Sequence, residues 1–598
     1  MSHPWPEGVR FGDEGLTFRG RTARDLVARY GTPLVLVDET VVRERCRSIA
    51  EAFGRALWAV KAFPAGALIR IAHEEGLGLL AATGGEVDAC LRAGVPASRV
   101  VLHGNNKTDA ELRLAVGAGV GLLILDNEEE VGRVADVARA HGLRQPVLVR
   151  VVPGLEVDTH EAVATGVVDT KFGVPMPLAL RVLRLALEAP ELDLRGIHLH
   201  LGSQLLDASP YEAAIDVALD LLVEARRELG WTAETLDLGG GMGVAYTDER
   251  ALDLRGLAAT VRSRVVDGAA ARGLEPPEVV VEPGRAVTAP AALTLYTVGA
   301  IKEVPGVRTY VAVDGGMSDN LRPALYGSRY TMALASRRSD AEARPATVVG
   351  RHCESGDILA RDVPLPSDLR RDDLLAVAGT GAYEYAMSSN YNKVGRPAVV
   401  LATETTDRAI LRREDAGDLA RLELPTAPRP AAPRPAGVEV RPARVRDARS
   451  LARMVESVAA EGRFIRTEGP ITVRETRRRL RVGWSPDHAE LVAVADGAVV
   501  GHLGIGRTPH AGTRHVASLG MAVAAPWRGR GVGSALLGAA FDWARWAGVE
   551  KLSLEVYPHN TVAMALYRKF GFVEEGRLRA HSKKRGTYED EIVMGAWV

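Results

Sequence analysis

Leu57-Trp58-Ala59-Val60-Lys61 is a short apolar run that ends directly in a lysine, with no turn residue to lift the ammonium into water. The pattern predicts a buried β-strand that carries Lys61 at its carboxyl end. Burial disfavours the charged form of an amine, and a neutral amine condenses with an aldehyde to form a Schiff base. Lys61 therefore makes pyridoxal 5'-phosphate (PLP) the first cofactor to test. The simpler alternative is a strand-end lysine whose stem lies on apolar surface.

Seven further apolar runs follow, and amphipathic helical segments separate them. This alternation predicts an α/β fold with a closed parallel (β/α)8 barrel. The seven runs are residues 77–83, 100–104, 122–126, 147–152, 195–201, 235–238 and 279–282.

Polar and glycine-rich residues follow several of these runs, at the end of a barrel where catalytic groups collect. Gly239 to Gly243 would let backbone N–H groups approach a phosphate, although such a run is also typical of a tight turn. Glu282 could accept a hydrogen bond from a pyridine nitrogen, or form a rim salt bridge to Arg285. His200 could stack on the cofactor ring, or be an ordinary core histidine.

Ten short motifs occur in order between residues 59 and 392, and the likeness that they carry covers about residues 10 to 410. They are Ala59-Val-Lys-Ala62, His103-Gly-Asn-Asn-Lys107, Lys171-Phe-Gly173, His198-Leu-His-Leu-Gly-Ser-Gln204, Leu236-Asp-Leu-Gly-Gly-Gly241, Glu282-Pro-Gly-Arg285, Asp314-Gly-Gly-Met-Ser-Asp-Asn-Leu-Arg-Pro-Ala-Leu-Tyr326, Cys353-Glu-Ser-Gly-Asp357, Thr380-Gly-Ala-Tyr383 and Asn390-Tyr-Asn392. This set resembles the fold-type III PLP-dependent decarboxylases, specifically the diaminopimelate decarboxylases. The resemblance implies a PLP-binding barrel joined to a C-terminal β-domain.

The resemblance also implies roles for single residues. Lys61 would hold PLP as a Schiff base, with His200 against the ring face. Cys353 would protonate Cα after CO₂ leaves, and a partner subunit of a homodimer would supply it together with Glu354. The other implied cofactor contacts are Ser203, Gly239, Gly240, Gly241, Glu282, Pro283, Gly284, Arg285 and Tyr383, and the implied substrate contacts are Arg285, Arg322, Tyr326, Glu354 and Tyr383.

Substrate choice depends on charge. Diaminopimelate carries a second amino acid centre, so its recognition needs cations for the distal carboxylate and an anion for the distal ammonium. By the resemblance, Arg285, Arg322 and Tyr326 would contact the distal carboxylate and Glu354 the distal ammonium. Decarboxylation of another diamino acid or of a D-amino acid, D-lysine or D-ornithine, stays open. Glu384 stands where glycine is frequent in the family, and it is expected to add a negative charge near the phosphate ligand Tyr383.

A second segment, long enough for a further domain, follows a spacer. Pro425-Thr-Ala-Pro-Arg-Pro-Ala-Ala-Pro-Arg-Pro435 is typical of an extended, semi-rigid linker. Beyond it, a predicted strand at residues 519–523 leads into Trp527-Arg-Gly-Arg-Gly-Val-Gly-Ser534 and a helical pattern, a turn that offers N–H groups to a pyrophosphate. The Arg528-x-x-Gly531-x-Gly533 spacing, Asn560 and Ala563-x-x-x-Tyr567-Arg-Lys-Phe-Gly-Phe572 resemble the GNAT N-acetyltransferases, which use acetyl-CoA.

By that resemblance Tyr567 would protonate the leaving thiolate, although it could also be a packed helix aromatic. Nothing in the sequence identifies the acceptor amine, which could be the product of the first activity. A module that binds acetyl-CoA without catalysis is the alternative. The implied acetyl-CoA contacts are Met521, Val523, Arg528, Gly529, Gly531, Gly533, Ser534 and Asn560.

These patterns predict four parts of the chain. Residues 1–35 and 286–420 form a β-rich domain, residues 36–285 the barrel, residues 421–437 a Pro/Ala-rich linker, and residues 438–598 a GNAT domain with a mixed central sheet.

Composition bounds the remaining possibilities. A chain of 598 residues with 46% hydrophobic residues can bury several cores, and a net charge of −1 offers no basic field for nucleic acid. The first ten residues lack the apolar centre of a signal peptide, and no apolar run reaches membrane-spanning length. Three cysteines suit a reducing compartment, so a cytoplasmic enzyme without a metal site or membrane contact is expected.

Overall fold

The computed structural model describes residues 4–155, 170–422, 435–467, 470–508, 510–584 and 586–598. The chain forms two compact units, Met1–Leu422 and Glu423–Val598. Of the predicted linker, residues 423–434 lie outside the described residues.

A closed barrel of eight parallel strands forms the centre of the first unit. Each strand pairs with the next along the chain, and the last pairs with the first through Val280 opposite Arg55 and Val281 opposite Ala56. The strands are Arg55–Ala59, Gly78–Ala81, Val100–Leu102, Leu122–Leu125, Gln145–Val152, Leu192–His198, Thr235–Asp237 and Glu278–Val281. The two-residue strand Val174–Pro175 pairs outside this ring.

Helices surround the barrel on its outer side. Their apolar faces pack on the strands, and capping residues begin and end them, as where Thr108 and Glu111 form a capping box and Gly119 ends the helix in the left-handed conformation. The helices are Glu39–Phe53, Gly66–Glu74, Gly84–Arg92, Asp109–Ala118, Glu128–His141, Met176–Glu188, Ser209–Leu229, Leu254–Ala271 and Arg285–Thr288. Alternate strand residues, Leu57, Ala59, Leu80, Val101, Leu122, Ile124, Leu148 and Val280, fill the barrel interior.

The sixth barrel strand differs from its predicted bounds. It begins at Leu192, three residues before the apolar run at 195–201, and it ends at His198. Gly196 lies so close to the neighbouring strand that a Cβ would meet the Thr235 carbonyl oxygen at 1.8 Å. Because the strand ends at His198, the motif histidine His200 follows the strand and lies on the rim.

A mixed sheet forms the other part of the first unit. The strand Leu34–Asp38 lies between Ala292–Val304, antiparallel to it, and Ala398–Ala402, parallel to it. The chain segment before the barrel is thus built into the β-domain. The remaining strands of this sheet are Arg308–Val313, Met332–Leu334, Ala343–Val349, Ile358–Pro366, Leu374–Ala378 and Asp407–Leu411. A small sheet of Val9–Gly12, Gly15–Phe18 and Arg21–Thr22 and the helices Ala23–Tyr30, Arg322–Tyr326 and Ala416–Ala420 complete the part.

The second unit is a seven-stranded mixed sheet with helices. Val516–Val523 and Lys551–Val556 are neighbours and parallel, whereas the other neighbouring strands are antiparallel. The order across the sheet is Glu439–Pro442, His488–Ala495, Ala498–Arg507, Val516–Val523, Lys551–Val556, Thr587–Trp597 and Val573–Lys584. The helices are Ala448–Ala460, Val473–Leu480, Val532–Ala547 and Thr561–Lys569.

The predicted fold class is confirmed: a parallel eight-stranded barrel, a β-domain and a C-terminal α/β unit with a mixed sheet. Among the described residues, every helix is too short or too polar to span a lipid bilayer.

Candidate active sites

A cavity of about 510 Å³ opens at the carboxyl ends of the barrel strands and extends to residues of the β-domain. Its volume lies in the range of small-molecule sites. Among the residues that line it are Lys61, His200, Ser203, Gly240, Gly241, Glu282, Gly284, Arg285, Arg322, Tyr326 and Tyr383, all predicted site residues.

Lys61 is exposed to this cavity, so the expectation of a buried amine is wrong. The strand ends at Ala59, and a single 3₁₀ turn, Val60–Ala62, follows it. This turn buries Val60 and Ala62 and directs the lysine between them into the open cavity. The amine is therefore accessible to a small molecule with an aldehyde.

Glu282 lies nearly buried at the base of the cavity. Loss of hydration raises the pKa of its carboxyl to about 7, and the nearby Lys61 ammonium opposes this shift. Its Oε1 atom accepts no hydrogen bond, although Nε2 of the buried His198 lies 3.3 Å away. A buried carboxylate oxygen without a donor fits the protonated nitrogen of a pyridine ring.

His200 lies half-buried on the cavity wall. Loss of hydration, followed in size by repulsion from Lys61, lowers its pKa well below the ordinary value. Its Nδ1 accepts a hydrogen bond from the Gly240 N–H at 3.2 Å. A neutral imidazole suits a contact with the face of an aromatic ring.

Glycines bring the backbone close to the cavity. A Cβ at Gly240 would meet the Glu282 carbonyl oxygen at 2.4 Å, and one at Gly284 would meet the Tyr383 hydroxyl at 3.0 Å. Gly239, also a predicted contact, does not line the cavity. Its N–H donates a hydrogen bond to the buried Asp237 carboxylate at 2.9 Å. Together with Lys61 and Glu282, these residues fit PLP.

Two arginines also line the cavity. The guanidinium carbons of Arg285 and Arg322 lie 5.7 and 5.1 Å from the centroid of the Tyr246 ring. Arg285 donates to the Tyr246 hydroxyl at 2.6 Å and to Ser203 Oγ at 2.8 Å. Two buried cations facing one cavity are suited to bind a carboxylate.

The carboxylate of Glu384 does not lie where the sequence predicted it, near the phosphate ligand Tyr383. Its carboxylate accepts a hydrogen bond from the Tyr330 hydroxyl and lies 3.5 Å from Arg322 Nη1. The preceding residue, Tyr383, has a positive φ of 69° and lines the cavity, whereas Glu384 does not. The negative charge therefore balances an arginine at the substrate end.

Cys353 and Glu354 do not line the cavity of their own chain. Both are exposed, and Cys353 is a free thiol. The loop that carries them is held by the buried Asp357, which accepts hydrogen bonds from the N–H groups of His352 and Met317. Pro283, another predicted contact, also lies outside the cavity lining.

The second unit has an opening between two strands of its sheet. Val516–Val523 and Lys551–Val556 are paired only from Val516 to Ser518, so the ladder ends before Met521. Gly529 and Gly531 follow with positive φ angles of 72° and 84°. Gly531 is the residue before the helix Val532–Ala547, so the glycine-rich turn precedes a helix N-terminus as predicted.

The other predicted residues of this unit have defined partners. Arg528 forms a bidentate ion pair with Glu461, at 2.6 and 2.7 Å. Asn560 caps the helix Thr561–Lys569 by accepting from the Ala563 N–H. Tyr567 lies buried on that helix, and loss of hydration raises its pKa to about 12.

Comparison with known proteins agrees with this geometry. A model for the pyridoxal binding domain of pyridoxal-dependent decarboxylases matches residues 39–289. The diaminopimelate decarboxylase of Mycobacterium leprae is 44% identical over 438 residues, which are 71% of this chain and 93% of that protein. The chain belongs to the diaminopimelate decarboxylase family.

Other members and solved structures cover the same part of the chain. The diaminopimelate decarboxylase of Bacillus subtilis is 40% identical over 69% of this chain and 95% of its own length. The crystal structure of diaminopimelate decarboxylase from M. jannaschii superposes with a TM-score of 0.66, at 30% identity, over 70% of this chain and 98% of that one. A lysine/ornithine decarboxylase from Vibrio vulnificus, complexed with putrescine, gives 0.55 at 26% identity, over 64% of this chain and 97% of that one.

The remaining part of the chain carries a GNAT domain. A model for the acetyltransferase (GNAT) family matches residues 462–572. This range contains the glycine-rich turn and Tyr567, so the second resemblance is confirmed at the level of the family.

Tyr246, Tyr330 and the contact of Glu384 with Arg322 were missed from the sequence. Tyr330 lies eight residues after Arg322 and outside the quoted motif. Tyr246 follows the glycine run. Nothing in the sequence signals that its ring contacts two arginines that are distant along the chain. Only the folded cavity brings these side chains together.

Proposed function

We propose that the first unit is a PLP-dependent decarboxylase that converts meso-2,6-diaminopimelate to L-lysine and CO₂. The observation that supports this most is that one cavity is lined by Lys61 and Glu282 and also by the two arginines Arg285 and Arg322. A substrate with one amino acid centre at each end matches both. Family membership supports the same reaction.

Each of these two pairs of residues has its own task. Lys61 would hold the aldehyde of PLP, Glu282 its ring nitrogen and His200 its ring face, while the backbone at Gly240 and Gly241 leaves room for the phosphate. Bound PLP supplies a sink for the electron pair that remains on Cα when the bond to CO₂ breaks. Arg285 and Arg322 would hold the distal carboxylate and so orient the carboxylate that leaves.

A proton must then be added to Cα. We assign this to the Cys353 thiol of a second copy of the chain, with Glu354 of that copy near the distal ammonium. Both residues are exposed in one chain and absent from its own cavity, which supports completion of the site in a homodimer.

The alternative substrates are D-lysine and D-ornithine. Neither has a second carboxylate, so either would leave the buried Arg322 without an anion in the cavity. The test is kcat/KM of the full chain for meso-diaminopimelate, D-lysine and D-ornithine, measured as CO₂ release. A higher kcat/KM for D-lysine or for D-ornithine than for meso-diaminopimelate would overturn the substrate assignment.

For the second unit we propose acetyl transfer from acetyl-CoA to an amine. The amine nitrogen would form a bond to the thioester carbonyl carbon and release a proton to water, the C–S bond would break, and the departing thiolate would take a proton from Tyr567, which regains one from water. Burial keeps the Tyr567 hydroxyl protonated at neutral pH, which suits a proton donor.

The acceptor is proposed to be lysine or a related small amine, because tethering raises the local concentration of the decarboxylase product. A panel of amines that includes L-lysine, with mass detection of acetylated products, tests this. Acetylation restricted to unrelated amines would exclude coupling, and binding of acetyl-CoA without any transfer would favour the non-catalytic alternative. A cytoplasmic location is proposed from the three free cysteines.

A further inference from the structure

We infer that Tyr330 and Glu384 are positioning residues for Arg322 and that they set the selectivity of the cavity for substrates with a distal carboxylate. The inference rests on the proposed decarboxylase function, because it concerns how one end of that cavity recognises its substrate. Neither residue lines the cavity, so both act through Arg322.

The three side chains form a continuous relay. The Tyr330 hydroxyl accepts a hydrogen bond from Arg322 Nη1 and donates one to Glu384 Oε1. The residues are 7%, 5% and 2% exposed, in the order Arg322, Tyr330, Glu384. Water therefore does not compete for these bonds, and each depends on the next.

The relay is attached to rigid parts of the fold. Glu384 Oε2 accepts from the Ala382 N–H at 3.0 Å, which fixes the carboxylate to the backbone. The Tyr330 ring contacts the Tyr246 ring edge to face, with centroids 5.1 Å apart. An arginine side chain is long and flexible, so holding its guanidinium before substrate arrives reduces the entropy lost on binding.

The charges also favour this role. Arg285 and Arg322 lie 5.7 and 5.1 Å from the centroid of one aromatic ring, that of Tyr246, and repel each other. The hydrogen bonds of Arg285 go to two neutral hydroxyl groups. Glu384 supplies one negative charge against these two positive charges. The balance is one positive charge, which one substrate carboxylate neutralises. A ligand without that carboxylate leaves the charge buried and unpaired.

The experiment uses the PLP-loaded full chain with Tyr330→Phe, Glu384→Ala and Glu384→Gln. Binding of L-lysine, which retains the distal carboxylate, and of cadaverine, which has none, is followed by the visible spectrum of the cofactor. KM and kcat for diaminopimelate are measured beside them. The matched control is Tyr30→Phe, since Arg29, Tyr30 and Asp407 form a similar trio that does not line the cavity.

Tyr330→Phe and Glu384→Ala are expected to weaken L-lysine binding and raise KM about tenfold, the effect of losing a hydrogen bond to a charged group. The Kd of cadaverine and kcat should change less than about threefold. Glu384→Gln keeps an acceptor for Tyr330 but removes the negative charge, so it should weaken L-lysine binding less than Glu384→Ala does. Tyr30→Phe should change neither Kd.

Equal weakening of L-lysine and cadaverine, or no weakening of L-lysine, would overturn the inference. Should Tyr330→Phe fail to fold, the two Glu384 variants decide. A wild-type chain that releases no CO₂ from diaminopimelate would overturn the proposed function instead, and the two binding titrations would still decide the role of the relay.

Discussion

The Ala59 N–H donates a hydrogen bond to the Pro283 carbonyl at 3.1 Å, and this bond joins the last residue of the first barrel strand to the segment that follows the last strand. Lys61 lies two residues beyond Ala59, and Glu282 directly precedes Pro283. Closure of the barrel thus sets how far the amine stands from the carboxylate. Two ends of the PLP site that are more than two hundred residues apart in sequence are placed by one backbone contact.

Lys61→Ala should remove the covalent attachment of PLP. We expect loss of the visible absorbance that remains with the protein after dialysis, and a fall in kcat of several orders of magnitude. Lys302→Ala, at an exposed position in the β-domain, is the control and should keep both. Absorbance that survives dialysis in Lys61→Ala would assign the attachment to another residue.

Glu282 should make the stability of the PLP-free chain depend on pH. Its pKa is about 7 in the folded chain, because burial disfavours the charge, and near 4.3 in an unfolded one. Between these values the folded chain retains a proton that the unfolded chain releases, so stability falls as pH rises through this window. Above about pH 7 the loss is complete.

Urea unfolding of wild type and Glu282→Gln at pH 5 and pH 8 checks this. The variant should be the more stable protein, and its advantage should grow by about 2 kcal/mol between the two pH values. Burial and then the Glu282 charge raise the pKa of Asp237 to about 7, and the variant loses the second of these causes, which adds to the growth of the difference. Glu278→Gln, exposed on the same strand, should show no such growth. A constant difference would contradict the assignment.

Mixing two inactive variants tests whether Cys353 acts in the partner's cavity. Cys353→Ala alone should lower kcat by about 10² to 10⁴, as for loss of a general acid. After exchange of subunits between equal amounts of Lys61→Ala and Cys353→Ala, half of the dimers are hybrids with one intact site, so about a quarter of wild-type activity should return.

The control for this mixture is each variant carried through exchange alone, which should stay inactive. Recovery of no activity, with exchange verified by mass spectrometry of the intact dimers, would place Cys353 in the cavity of its own chain.

Sequence patterns were sufficient for the barrel and for most of its rim, because strand periodicity and glycine-rich ends are local signals. Contacts between distant residues were not accessible in the same way. Glu384 lies 54 residues from Tyr330, and its expected position near a phosphate ligand reflected only its neighbour in sequence. The burial assigned to Lys61 failed for a related reason, since the 3₁₀ turn after Ala59 has no turn residue to signal it.

Lys107 belongs to a family-like motif, yet its role in the fold is structural. Its Nζ lies 2.7 Å from Glu130 Oε2, and both side chains are 1% exposed. Glu130→Gln should cost about 3 kcal/mol, since it leaves a buried ammonium without its charge partner. In urea unfolding, the double variant Lys107→Met/Glu130→Gln should lose less stability, by at least about 1 kcal/mol, than the sum of the losses of the two single variants.

Asp88→Asn, which breaks the exposed Arg92–Asp88 pair, is the control for this cycle and should change stability little. Strict additivity of Lys107→Met and Glu130→Gln would show that the two charges do not depend on each other.

Gly531 should be required for binding of acetyl-CoA by the second unit. Its φ of 84° lies in the left-handed region, directly before the helix Val532–Ala547. An alanine there costs about 1–2 kcal/mol or shifts the turn, so the Kd of acetyl-CoA, measured by calorimetry on the full chain, should rise about tenfold in Gly531→Ala. Gly576→Ala is the matched control, because Gly576 has no positive φ and a Cβ there meets open space. If both variants bound acetyl-CoA equally well, the turn before this helix would not be the site that holds the pyrophosphate.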